Sequence, residues 1–258
     1  MLLAVDVGNT QTVIGLFDRG ELERHWRIAT DAHRTGDELA LIFGGLMGQA
    51  GLSFGKQVTG VAVSSVVPQV TETIRDMCER YFHFPPMVVG PGLKTGLMIS
   101  TDNPREVGAD RVVNAVAAFA RFHGSCIVID FGTATTVDAI GPKGEYLGGA
   151  IAPGIEISTQ ALVRAGAQLR TIAYTPPRSV IGKTTVEAIQ SGVLYGFAGQ
   201  VEGIVRRMRE ILGEDTPVIA TGGSAGIIAP ICPAIDVEDP WLTLQGLQLL
   251  YERNAGER

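Results

Sequence analysis

Two short stretches of the chain carry acids, glycines and hydroxyl residues at matching spacing: "DVGNTQTV", residues 6–13, and "DFGTATTV", residues 130–137. Each follows an apolar run that suits a buried strand. The acid, glycine and small polar residues are what a tight turn needs to bring backbone close to a ligand. Laying residues 5–21 on residues 129–145 pairs Asp6 with Asp130, Gly8 with Gly132, Thr12 with Thr136, Val13 with Val137, Gly20 with Gly144 and Glu21 with Glu145. One such turn alone would be an ordinary hairpin, but a self-match at constant offset indicates an internal duplication.

Two turns rich in backbone N–H and hydroxyl groups suit a polyphosphate, because unpaired amides in a turn form an anion-binding concavity. Asp6 and Asp130 would repel phosphate directly. The conflict is resolved if each carboxylate holds a cation, or a water on a cation, as hard oxygen ligands do for Mg²⁺. Neither turn contains Lys or Arg, so metal has to supply the neutralising charge.

The elements that must position these turns alternate between strands and amphipathic helices, the pattern of an α/β fold with covered sheets. Strands are expected at residues 2–6, 12–17 and 22–28, with "DRGE" as the turn between the last two. Helical spacing follows in "GDELALIFGGLMGQAG", a Val-rich strand in "VTGVAVSSVVP", and a helix opened by Pro68 in "PQVTETIRDMCERYF". The second half restarts with "SCIVIDFGTATTVDAI", "GPKGE" and "YLGGAIAP". Helices are expected from about Ile155 and over Thr184–Leu212, a strand in "TPVIATGGSAG", and a closing helix in "DPWLTLQGLQLLYERN". The restart places a boundary near residue 123, giving lobes 1–123 and 124–258.

Between the two hairpins, "GADRVVNAVAAFARF" opens a helix: Gly108 and Ala109 lead in, Asp110 and Arg111 sit in the first turn, and Val112, Val113, Val116, Phe119 and Ala120 form its buried stripe. An acid there also complements the helix dipole, and Arg111 could equally be a surface ion-pair member. "IGKTT", residues 181–185, ends like a phosphate-binding loop, but the first glycine of that motif falls at Pro177 and no apolar strand leads in, so this reading is rejected. "TTVE" fits a helix capping box from Thr184 to Glu187.

Composition excludes several classes. The chain has 258 residues, with 21 Lys+Arg against 27 Asp+Glu, a formal net charge of −6, and no basic run to track a nucleic-acid backbone. No apolar run is long enough to cross a bilayer, and the start lacks a signal-peptide pattern. Cys78, Cys126 and Cys232 show no paired spacing and read as reduced thiols of a cytoplasmic protein. The four histidines show no metal spacing.

The segments "DVGNT", "NPREVGADR", "DFGTATT", "GGAIAPG" and "ATGG", in this order over essentially the whole chain, resemble the type III pantothenate kinases, within the superfamily of actin, sugar kinases and heat-shock chaperone ATPases. The resemblance implies a duplicated actin-like (ribonuclease H-like) two-lobe α/β fold with mixed sheets and a nucleotide cleft between the lobes. It implies transfer of the ATP γ-phosphate to pantothenate, the first step of coenzyme A synthesis, in a cytoplasmic homodimer that uses Mg²⁺ with ATP and a monovalent cation, K⁺ or NH₄⁺.

By the same resemblance Asp6, Val7, Gly8, Asn9, Thr10, Gln11, Thr12 and Val13 form the first phosphate motif, with Asp6 placed to hold Mg²⁺ through water. Gly132 and Thr133 belong to the second, and Asp130 corresponds to the monovalent-cation ligand. Gly108, Ala109, Asp110 and Arg111 match the pantothenate segment, with Asp110 as the base and Arg111 paired to the substrate carboxylate. Thr185 aligns with a substrate contact. Where many relatives carry an aromatic residue this chain has Thr101. A nucleotide-binding regulatory protein, or a kinase of another hydroxy acid or sugar, is the alternative on the same scaffold.

Overall fold

The computed structural model describes residues 1–165 and 172–255. Two compact units are present: Met1–Gly96, Asn103–Ala117 and Leu242–Arg258 form one, and Leu97–Asp102 with Ala118–Trp241 form the other.

In the first unit β1 (Leu2–Val7), β2 (Gln11–Asp18), β3 (Glu21–Ala29), β4 (Gly60–Ser65) and β5 (Met87–Val88) build one sheet in the order β3-β2-β1-β4-β5. The first three strands run antiparallel, and β4 joins β1 in parallel. Parallel pairing requires a crossover, which α1 (Gly36–Gln49) and α2 (Phe54–Gln57) supply; α3 (Pro68–Tyr81) then carries the chain from β4 to β5. Leu3, Val5, Val7, Val61 and Val63 alternate onto one sheet face and meet Leu39, Phe43, Met47, Ile74 and Met77 of the helices, each burial contributing about 1.5–3 kcal/mol. Pro68 sits at the start of α3, where its missing N–H costs nothing. The start of α1 is fixed by a capping box that the sequence reading missed: Thr35 Oγ1 accepts from Glu38 N at 3.3 Å, and Glu38 Oε2 accepts from Thr35 N at 2.8 Å.

Helix α4 (Ala109–Phe122) follows. It buries Val113, Ala115, Val116, Ala117 and Ala118; Ala120, expected in the buried stripe, is exposed, and Val112 and Phe119 are half-buried.

The second unit contains β6 (Met98–Ile99), β7 (Cys126–Phe131), β8 (Ala134–Ile140), β9 (Glu145–Pro153), β10 (Val218–Thr221) and β11 (Val237–Glu238) in the order β11-β10-β7-β8-β9-β6. Apart from the added edge strand β6, this repeats the first sheet strand for strand: an antiparallel β9-β8-β7 meander followed by parallel β10 and β11. The crossover here is α5 (Ile155–Ala165) and α6 (Thr185–Leu212), with α7 (Ala225–Ile228) between β10 and β11. Val193, Leu194 and Val201 of α6 bury against Ile127, Ile129, Phe131 and Val137, so its apolar stripe is largely core, while Val186 stays exposed.

The last helix, α8 (Leu242–Ala255), packs on β1, β2 and β4 through buried Leu242, Leu244, Leu247 and Leu250. It therefore groups with the first unit, whereas a division at residue 123 assigns it to the second half. Its apolar residues announce a buried face without saying which sheet buries it. Gly246 makes room for α4: a β-carbon there would collide with the Val113 carbonyl.

Candidate functional site

The first hairpin turn is set by the strand register. Asp6 faces Val13 and Val7 faces Thr12, so Gly8 and Gln11 close the ladder and Asn9–Thr10 form the tip, with Gly8 N donating to Gln11 O at 3.0 Å. Thr30, just past β3, ties the turn down. Its Oγ1 donates to Gly8 O at 2.7 Å and lies 2.9 Å from Thr12 Oγ1, and its N–H donates to Thr10 O at 3.0 Å. Thr12 and Val7 are buried and support the turn from below, whereas Asn9, Thr10 and Gln11 are exposed at its tip.

The second turn is one residue tighter. Asp130 faces Thr136 and Phe131 faces Thr135, so Gly132 meets Ala134 and Thr133 alone forms the tip. The hairpin ends differ in the opposite sense: Arg19 and Gly20, both at positive φ, join β2 to β3, while Gly141 N still donates to Glu145 O at 2.7 Å and Pro142, Lys143 and Gly144 form the turn beyond it. The gapless self-match survives because the two differences cancel. Within it, Thr12 corresponds in space to Thr135 and Val13 to Thr136, not to Thr136 and Val137 as the aligned letters suggest. Both copies keep a bulge at the same place, between Leu16 and Phe17 and between Ala139 and Ile140.

Two glycines from distant sequence motifs close on the second turn. Gly154, at the end of "GGAIAPG", donates its N–H to Thr133 O at 3.1 Å, and a β-carbon on it would collide with the Gly132 and Thr133 carbonyls. Gly222 of "ATGG" has φ +95, and a β-carbon there would strike Asp130 Oδ1 and the Phe131 amide. Ser224 N donates to Phe131 O at 3.2 Å. The structure thus gathers Asp130, Gly132, Thr133, Gly154 and Gly222, although the last two carried no assigned role in the sequence reading.

The segment expected to meet substrate, residues 108–111, lies in the first unit. A short 3-10 turn, Pro104–Glu106, leads to Gly108, whose carbonyl accepts the first helical bond from Val112 N at 3.2 Å. Asp110 and Arg111 are half-buried in the first turn of α4. Asp110 Oδ1 accepts from Arg111 N at 2.8 Å, and a β-carbon at Gly108 would come within 2.6 Å of that oxygen, so glycine leaves room for this carboxylate.

Thr185, in the second unit, opens α6. Thr184 Oγ1 caps the helix by accepting from Glu187 N at 3.2 Å. Glu187 turns its own carboxylate to Arg178 Nε at 2.6 Å and Lys183 N at 3.1 Å, and the Arg178 bond first among these holds its pKa below the usual carboxylate value. Thr185 lines an open, mostly apolar groove of about 410 Å³ with Ser158, Leu162, Ala188, Ile189 and Phe197. Among the described residues no three His, Cys, Asp or Glu side chains cluster to hold a metal, and no helix is long and apolar enough to cross a membrane.

A family profile for type III pantothenate kinase matches residues 2–207. The chain belongs to the type III pantothenate kinase family. Type III pantothenate kinases of Streptomyces griseus and Streptomyces coelicolor are 56% and 55% identical to it, each match covering 99% of both chains. Among solved structures, a Baf family transcriptional activator from Campylobacter jejuni superposes with a TM-score of 0.63 at 16% identity, covering 98% of this chain and 99% of the other. An inorganic polyphosphate/ATP-glucomannokinase from an Arthrobacter species gives 0.51 at 14% identity over 100% and 99%. At such identities these likenesses speak for the fold alone. That fold is the duplicated actin-like α/β architecture that the family resemblance implies, with the repeat announced by the self-matching hairpins.

Proposed function

We propose that this chain transfers the γ-phosphate of ATP to the 4'-hydroxyl of pantothenate, opening coenzyme A synthesis in the cytoplasm. Family membership over nearly the whole chain supports the reading, and Asp110 beside Arg111 at the head of α4 carries it.

In this reading the turn residues Gly8, Asn9, Thr10 and Gln11, and Gly132 and Thr133 in the other unit, hold the phosphates through amides and hydroxyls. Arg111 pairs its guanidinium with the substrate carboxylate. The donor set suits oxygen-seeking cations that arrive with the nucleotide: the carboxylates of Asp6 and Asp130 stand at turns whose own residues include no Lys or Arg. Asp6 would hold Mg²⁺ through water and Asp130 a monovalent cation, K⁺ or NH₄⁺, each supplying positive charge at its own turn. Thr185 would touch substrate, and the exposed apolar residues near it, Leu162, Val180, Ile181 and Val186, would face a second copy of the chain in a homodimer.

Phosphoryl transfer through a loose transition state asks the protein mainly for orientation. Asp110 Oδ1 is occupied by the Arg111 amide, so Oδ2 accepts the hydrogen bond of the 4'-hydroxyl. As the new O–P bond forms and the β–γ bridge breaks, the hydroxyl proton passes late to Asp110 and ADP leaves. Replacing Asp110 with Asn should lower kcat by roughly 10² to 10⁴ with ATP affinity unchanged by calorimetry. Near-normal turnover in the folded variant would overturn the assignment.

A further inference from the structure

Asp138 is 1% exposed and Tyr146 0%. Removing a carboxylate from water costs several kcal/mol unless partners compensate. Asp138 Oδ1 accepts from the Tyr146 hydroxyl at 2.6 Å, and Oδ2 from Thr136 Oγ1 at 3.3 Å. The fold does not demand this arrangement. In the first unit the corresponding register positions hold Gly15 and Leu22, and the space beside Gly15 is filled by Leu22 and Leu244 carbon atoms. The same strands, bulge included, close there around hydrocarbon.

The difference extends to the acid at the turn. Thr136 is the cross-strand neighbour of Asp130, and registered neighbours share a sheet face with their β-carbons about 5 Å apart. Thr136 and Asp138, two residues apart on β8, lie on that same face, opposite the core residue Val137. At the equivalent place beside Asp6 the first unit has Val13. Only the second acid therefore has a hydroxyl on its hairpin partner, with a buried carboxylate behind it.

A hydroxyl has one hydrogen and two lone pairs. With its hydrogen committed to Asp138, Thr136 Oγ1 offers only lone pairs toward Asp130, which makes it an oxygen ligand for a cation rather than a donor to phosphate. We propose that Thr136 is a second protein ligand for the monovalent cation assigned to Asp130, and that Asp138, held by Tyr146, is the positioning residue that fixes the Thr136 hydroxyl as an acceptor. The proposal rests on the cation reading of Asp130. One carboxylate with a hydroxyl suits a singly charged ion.

The test is a potassium titration of the purified chain with ADP present, read as the melting midpoint, with sodium holding ionic strength constant. Thr136→Val, which copies Val13, should raise the potassium concentration for half-maximal stabilisation about tenfold, and Asp138→Asn should move it the same way by less. Tyr146→Phe supplies the variant that keeps the buried ring if Asp138→Asn fails to fold. A drop in melting temperature that is equal in potassium and sodium, with the half-saturation point unchanged in Thr136→Val, overturns the proposal and leaves the Asp130 reading standing. A wild-type chain that is indifferent to potassium overturns both.

Discussion

The two hairpins follow one backbone plan, yet the first turns around two residues, Asn9 and Thr10, and the second around Thr133 alone. In the first, the Thr30 side chain bonds Gly8 O and Thr12 Oγ1. The corresponding position after β9 is Gly154, pressed against the turn carbonyls, and Thr135, the counterpart of Thr12, has a buried hydroxyl that meets no hydrogen-bond partner among the described residues. A duplicated scaffold has thus been stabilised in two ways: one turn is braced by a side chain, the other by close backbone contact that admits none. The braced turn has hydrocarbon beside its acid, and the tight turn has hydroxyl and carboxylate.

Exchanging the braces is the severest test. Gly154→Thr, which writes the first solution into the second hairpin, forces a side chain against backbone and should cost more than about 3 kcal/mol, seen as a collapse of the melting transition or of ATP binding. Normal stability would show that the second turn is looser than described. Next come the acids. If the hairpins divide the cations, Asp6→Asn should raise the Mg²⁺ requirement and Asp130→Asn the K⁺ requirement, each with kcat/KM down roughly 10²-fold; identical ion profiles for the two variants would erase the distinction.

The reciprocal exchange is milder. Thr30→Gly removes two hydrogen bonds and stiffness from the first turn, a loss of about 1–3 kcal/mol by denaturant unfolding. The smallest effect concerns pH and should be the same in both units. Burial pushes the Cys78 thiol, in the first unit, and the Cys126 thiol, in the second, up to about 12. In the unfolded chain these thiols ionise near 9. Their stabilising effect is therefore intact below pH 9 and is lost as pH rises toward 12, by about 1 kcal/mol per thiol at pH 10. Urea midpoints at pH 8 and 10 check this, and Cys78→Ala and Cys126→Ala should each flatten the slope by a similar amount.

Much of this was legible in the letters. Apolar runs at β1 and β7 and turn signals with partial alternation in the strands after them marked the six long strands, and Pro68 marked the head of α3, because strand pattern and helix-start chemistry are local. The two matching hairpin turns announced themselves by repetition. The one-residue register difference did not, since threonines at 12, 135 and 136 let a gapless match place identical letters together while the core face follows Ile14 and Val137. The clustering of Gly154 and Gly222 at one turn, the pairing of Asp138 with Tyr146, and the choice of sheet by α8 are long-range packing outcomes, and no local period encodes them.

That last choice has a consequence for the order in which the molecule can assemble. The first unit needs Leu244 over Gly15 and Tyr251 against Gly60, contacts between segments nearly a chain length apart, whereas the second unit is complete, apart from residues 97–102, once residues 118–241 exist. During synthesis the earlier-made sheet must wait for the last helix with part of one face uncovered, and the later-made unit can finish first. Nascent chains halted at about residue 241 should accordingly show a protease-resistant second unit and a first unit that is still cleaved.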